Sequence, residues 1–406
     1  MPKAPVRKRC FVQMTGYEPV GPDHQHRRFI REMGRFLKAW NLQGKVSPPS
    51  ITPEVASWTV ETWGPNWRVV TDFHQFRWDQ FIVADAAASD WLRIPLGIAA
   101  LMEFVLTGTA VRYFRTAWRY AFFFLSPFAY ILGMLWLSIG LTRLAMGHLG
   151  LPFPLVLAPV LCLAVFIGLR FSFGRMMHIR YALDDWYFAR DFIHRVRPEV
   201  EERLDRLAEV FLSIVRATDA DEIIFDGHSL GAPLSIIVLD RALKLDPTLG
   251  GKPLHLVSSG SSLLKLALHP AAGWIRDAVG RVVKMPQLFW VEYQALVDVI
   301  NTYNVDPVVA CGLPFAGKPL VKIIRIRLML EESTYRRFRL SFLRIHRQAV
   351  MGNERRYFYD YYMLCCGPIA LTERVENPDD AVAVFAADGT LSDAAPPRLA
   401  VAGGNA

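Results

Sequence analysis

The chain is poor in cysteine. Five are scattered along 406 residues (Cys10, Cys162, Cys311, Cys365 and Cys366), an odd number, with no C-x-x-C pair. That excludes a disulfide framework and a zinc-finger scaffold as the basis of the fold, and it suits a reducing compartment. No metal and no organic cofactor is expected. The basic N-terminus (MPKAPVRKRC) is followed by no apolar run of signal-peptide length, so the chain is expected to start in the cytosol. Lys and Arg number 46 against 38 acids, a net charge of +8. Yet no basic run is interleaved with aromatics as nucleic-acid motifs are, so nucleic acid is not an expected partner. The charge points instead to an anionic membrane surface. No internal repeat is present.

What the chain has in abundance is apolar sequence, 52% of residues. Two charge-free runs stand out, Tyr120–Thr142 and Leu149–Leu169. Each exceeds the roughly 20 residues a helix needs to cross the hydrocarbon layer. Pro127 and Pro159 are tolerated in such spans. The linker RLAMGH carries only Arg143, whereas Arg112, Arg115 and Arg119 precede the first run and Arg170, Arg175 and Arg180 follow the second. The positive-inside rule then puts both flanks in the cytoplasm. The expectation is an integral protein of a bacterial inner membrane, with the lipid bilayer as partner. A third run, Ile94–Gly108, is shorter and holds Glu103, and reads as an interfacial or buried helix.

The rest alternates between strand and helix patterns. Arg9–Thr15, Ser57–Thr62, Trp67–Asp72, Glu222–Phe225, Leu254–Ser258, Phe289–Val297 and Lys322–Leu330 read as strands, and Pro198–Thr218 and Ser229–Leu245 as helices. That alternation predicts an α/β fold with a mainly parallel sheet and helices on both faces. Residues 1–90 and 181–375 then form one domain, residues 91–180 a membrane insertion within it, and the Ala-, Asp- and Pro-rich residues 376–406 a disordered tail.

The strongest local signal is IIFDGHSLGAPL, in which Gly227, His228, Ser229, Leu230 and Gly231 fit G-x-S-x-G. A sharp strand-to-helix turn holds the serine at its tip in a strained conformation, and small residues two positions away on either side let strand and helix close up. The bare pattern arises by chance in roughly a tenth of chains this long. A buried strand before it and an amphipathic helix after it make it far more specific. A nucleophilic serine needs a base and an acid, which follow in the order Ser, Asp or Glu, His. Beyond residue 269 the only histidine is His346, expected in a loop after a strand-like segment. Asp298, at the end of the Phe289–Val297 strand, is the favoured acid, and Asp306 in NVDPV is the rival. Two backbone N–H groups must hold the oxyanion. Leu230 supplies one, and the loop Gly16-Tyr17-Glu18 after the first strand is expected to supply the other from Tyr17. The chain lacks an HGGG loop.

At GHSLG the sequence resembles the lipase-like branch of the α/β-hydrolase superfamily, including the class 3 lipases. The likeness rests on Gly227, His228, Ser229, Leu230 and Gly231 with Asp298 and His346 downstream, over roughly residues 1–75 and 185–370. It implies hydrolysis of a carboxylic ester, a small molecule or a lipid, through an acyl-enzyme. The opening CFVQMTGYEPVGPDHQHRRF and the closing HRQAVMGNERRYFYDYYMLCCGP are similar to bacterial membrane proteins that carry such a core. Soluble lipases lack the inserted hairpin. Acyl transfer by the same triad, and a non-catalytic scaffold that keeps the fold, are the alternatives. Oligomeric state is not legible.

Overall fold

The computed structural model describes residues 5–149, 154–177 and 179–392. The chain divides into two compact units, residues 1–83 with 197–406, and residues 84–196. The first is an α/β unit on a mixed, mostly parallel sheet. Its strands are β1 (Lys8–Met14), β2 (Gln43–Val46), β3 (Ser50–Ile51), β4 (Val55–Trp63), β5 (Arg68–Phe76), β6 (Glu222–His228), β7 (Leu254–Ser259), β8 (Leu288–Ala295) and β9 (Leu320–Ile324). Their order is β2-β4-β5-β1-β6-β7-β8-β9, with β3 on β4. From β5 to β9 every pairing is parallel, and β4 is antiparallel to β2, β3 and β5.

Burial follows from this order. All seven residues of β6 are buried, as a central parallel strand covered on both faces requires. On β4 buried and half-buried residues alternate, the period-2 signature of a sheet with one drier face. One face carries an aromatic layer. Trp58 and Phe11 stack on Phe73 (centroids 4.6 and 5.3 Å), and Phe29 from the helix Pro22–Trp40 closes on the same ring at 4.9 Å. Opposite parity puts Phe76 and Phe225 on the other face, where Phe211 of the helix Pro198–Ala217 stacks on Phe225 at 4.8 Å. At the sheet end, buried Arg9 binds Glu222 at 2.7 Å and the carbonyls of Gly367 and Ile369, while Glu222 also accepts the Leu371 N–H. This pair fastens the C-terminal segment to β1 and β6.

Three local expectations change. Residues 322–330 are not one strand, because β9 stops at Ile324 and Ile326–Met329 is helical. The segment expected as a linker, Arg143–His148, continues the helix Trp118–Leu149. Residues 376–392 are ordered. Phe385 lies 5.2 Å from Trp40 and 6.1 Å from Trp67, it bridges to Leu391, and Arg356 donates to the carbonyls of Phe385, Ala386 and Ala387. The rest of the expected tail lies outside the described residues.

The second unit is helical. Asp90–Leu106 packs on Ile179–His194, where Gly97 leaves no room for a Cβ against Leu183, and Arg93 makes a buried ion pair with Asp184. The third apolar run thus lies within the helix Asp90–Leu106. It buries Ala100, Leu101 and Phe104 but exposes Trp91 and Leu106. Trp118–His148 is long and apolar enough to cross a membrane, and its most apolar stretch is largely exposed. It packs along Pro154–Met177, whose apolar part, Leu157–Gly168, is shorter. Of the second expected span, residues 150–153 lie outside the described residues.

Gly231 has the least room in the first unit. A Cβ there would sit 2.1 Å from the Met14 carbonyl oxygen, a backbone atom that cannot swing away. Gly231→Ala is expected to lose about 3 kcal/mol of stability. Gly34→Ala, in an exposed helix interior with nothing within 4 Å, gains up to about 1 kcal/mol. Paired denaturant unfolding curves check both.

Candidate active site

The β6–helix junction is built around Ser229, which adopts φ 56°, the left-handed region that an L-residue with a side chain enters at a cost. Three backbone hydrogen bonds hold it there. Its N–H donates to the Ser259 carbonyl at 3.1 Å, and its own carbonyl accepts from Ala232 and Ser262, each at 3.1 Å. The neighbouring glycines are steric necessities. A Cβ on Gly227 would come within 2.5 Å of Ala232 Cα, and one on Gly16 within 2.9 Å of Ser229 Cβ. The register explains the second contact, since Met14 pairs with Gly227 and β1 therefore delivers its following loop to the elbow. Gly16 and buried Tyr17 lie in that loop, and Glu18 ties it down through Arg28 at 2.6 Å and Arg347 at 3.5 Å. Leu230, buried, is the N-cap of the helix Gly231–Leu245, and among the described residues no side chain caps that end.

His346 is buried in a short helix, Phe342–Arg347, and not in the expected loop. Its Nδ1 lies 2.7 Å from Asp298 Oδ2. Asp298 follows the end of β8 and also accepts the Ile300 N–H on Oδ1 at 3.0 Å. Burial alone would raise its pKa, but the charge and hydrogen bond of His346 outweigh burial and hold the carboxyl below its usual range. A carboxylate can only accept, so Nδ1 is the nitrogen that donates to Asp298, and Nε2 is the one left for other partners. That Nε2 is buried and has no hydrogen-bond partner among the described residues. The rival acid, Asp306, is engaged elsewhere, capping the helix Pro307–Ala310 through the N–H groups of Val308 and Val309.

Three further residues complete the cluster. Gly260, at φ +56°, lets the pair close, since a Cβ there would lie 3.1 Å from His346 Cε1 and 3.4 Å from Asp298 Oδ2. Ser262 Oγ is 3.5 Å from Ser229 Oγ. His228 donates from Nε2 to the His346 carbonyl at 3.3 Å, with the two rings 4.8 Å apart. Burial, then the neighbouring His346, push the His228 pKa down to about 3, so it is neutral and fixed. The sequence signal for Gly260 and Ser262 is the run SSGSS, five small residues that close β7 and continue past it, at the carboxyl end of a parallel strand, where sites of this fold class gather.

Beneath the elbow lies a second polar group. Asp226 accepts from Tyr361 at 3.1 Å and from Ser259 at 3.4 Å, and Tyr361 is in turn bonded by Gln13. Tyr359 links Ser259 to the Ala349 carbonyl at 2.5 Å. Burial without a cation drives Asp226 up to about 7.

Comparison of the chain with family models, with curated proteins and with solved structures finds no match.

The raised carboxyl of Asp226 has a thermodynamic signature. Below pH ~4 both folded and unfolded chains hold its proton. Between pH ~4 and pH ~7 the unfolded chain loses it first, so stability falls as pH rises, by on the order of 4 kcal/mol, and is level above that window. Asp226→Asn removes this component. Unfolding free energies of wild type and variant should therefore diverge across that window in the variant's favour, and parallel curves would contradict the assignment.

Proposed function

We propose that the chain is a serine hydrolase of the α/β-hydrolase type that cleaves carboxylic esters. The observations that carry this reading are a serine at a strained strand-to-helix tip and a carboxylate-oriented imidazole that packs against His228, the residue just before that serine. His346 Nε2 takes the proton of Ser229 as Oγ attacks the carbonyl carbon. The tetrahedral oxyanion forms beside the N-terminus of the elbow helix, where the Leu230 N–H is one donor and the Gly16-Tyr17 loop supplies the other. Protonated His346 then hands the proton to the leaving alkoxide. The acyl-enzyme is released by water, activated at the same nitrogen. Asp298 keeps Nδ1 protonated and stabilises the imidazolium in between. Ser262 is placed to hold Ser229 Oγ before attack.

The same proposal puts the second unit in a bilayer. Support comes from the long apolar helix Trp118–Leu149 packed on Pro154–Met177, and from arginines on the outer flanks of the pair. In this reading the chain is an integral membrane protein with the hydrolase unit on the cytoplasmic side, and its substrate is a lipid or acyl ester. One observation favours a non-catalytic scaffold instead: Ser229 Oγ has Ser262, not His346, as its hydrogen-bonding neighbour. Catalytic hydrogen bonds often tighten only when substrate arrives, so the decision belongs to chemistry.

A fluorophosphonate probe should label the wild-type chain and fail on Ser229→Ala, and undiminished labelling of that variant would sink the reading. The two aspartates separate by rate. Asp298→Asn should slow ester turnover by on the order of 10³-fold or more, through the wrong imidazole tautomer. Asp306→Asn retains a good helix cap and should stay within about twofold. Steady-state kinetics on a chromogenic ester reads both.

A further inference from the structure

The segment that carries His346 also carries an unusual surface. Between residues 332 and 347 there are five arginines and one glutamate. The helix Glu332–Phe338 buries no residue fully, and it rests on the core through half-buried Tyr335 and Phe338. Its other side and the corner that follows present Arg336, Arg337, Arg339 and Arg344 to solvent. Leu340 and Phe342 project among them, 84% and 53% exposed. Two of the five arginines are spent on carboxylates, Arg336 on Glu332 at 2.8 Å and Arg347 on Glu18 at 3.5 Å. Arg337, Arg339 and Arg344 have no carboxylate partner among the described residues.

We propose that this corner, residues 336–344, is a docking surface for the headgroups of anionic phospholipids. Guanidinium groups grip phosphate in two-point fashion. An exposed aliphatic and an aromatic side chain between them suit the boundary of headgroup and acyl chain. A nucleic-acid phosphate backbone would use the arginines but leave Leu340 unpaired with anything apolar. Phe342 and His346 stand four residues apart on one short helix, one outward and the other buried beside Asp298. Docking therefore seats the element that bears the proposed base. The inference deepens the membrane part of the proposed function and rests on it. It requires no activity at Ser229.

The test uses the full chain with Leu340→Cys in a Cys162→Ser background, labelled with bimane, the other four cysteines being buried. It is reconstituted into vesicles of phosphatidylcholine, with or without phosphatidylglycerol, that contain a doxyl-labelled lipid as quencher. Quenching should be strong with phosphatidylglycerol, weak without it, and reduced by salt. Arg337→Glu with Arg339→Glu and Arg344→Glu should shift the docked population by on the order of a hundredfold or more. The triple lysine variant should retain most of it. Equal quenching in both vesicle types, no quenching in either, or loss of quenching on adding a single-stranded oligonucleotide would overturn the proposal. Fluorophosphonate labelling of the same vesicles separates the two readings. Quenching without labelling fails only the hydrolase, and labelling without quenching fails only the docking surface.

Discussion

Between the carbonyl of Met14 and the start of the elbow helix there is no room for a methyl group, and the site is assembled around that closeness. With glycine at 231 the helix N-terminus approaches the end of β1. The loop after β1 then falls beside Ser229, with Gly16 pressed against the serine Cβ. Gly227 lets the helix fold back on its own strand. Ser229 is left at the tip with a conformation it would not choose, and bonds from β7 and from Ser262 fix it. Strain at one residue is thus held by β7, by the elbow helix and by the segment after β7, which is how such strain persists.

The buried polar groups divide by what faces them. Asp298 and Asp226 are both buried carboxyls next to the elbow, and they shift in opposite directions. Asp298 meets an imidazole that can carry charge and stays acidic, whereas burial drives Asp226, which meets the neutral side chains of Tyr361, Gln13 and Ser259, up to about 7. The two histidines divide likewise. His228 is kept neutral by burial, with the neighbouring His346 adding to it, even though it donates to a carbonyl. His346, anchored by a carboxylate, keeps one ring nitrogen that no described residue bonds.

The sequence made the elbow legible because its chemistry is local. A buried strand, two glycines at fixed offsets and a helix lie within a dozen residues, and steric need ties each to the next. The pairing of Asp298 with His346 was legible only as order along the chain. Asp306 could not be set aside from sequence, because its use as a cap depends on Val308 and Val309 folding into a helical turn after Pro307. Gly260 and Ser262 escaped notice since their neighbours, His346 and Ser229, are remote in sequence. His346 was placed in a loop because FLRIHR is too short for helical periodicity to show. The ordered part of the tail was missed for a related reason. Its composition is that of a disordered segment, yet Phe385 finds Trp40 and Trp67, and few apolar contacts suffice when Arg356 gathers the carbonyls.

The second unit enters the chain between β5 and β6, and the sheet does not require it. Both strands flank β1, and the helix Pro198–Ala217 alone supplies a crossover of the kind parallel neighbours need. Closing a longer connection costs little, since each doubling of a loop adds only about 0.6 kcal/mol. Residues 84–196 can therefore be accommodated without being needed for the fold of the first unit, and their large apolar exposure, at Trp91, Leu106, Trp136 and Leu163 among others, is unfavourable in water. An insertion that the sheet tolerates but does not use, and whose apolar faces water disfavours, is what the proposed bilayer setting would account for.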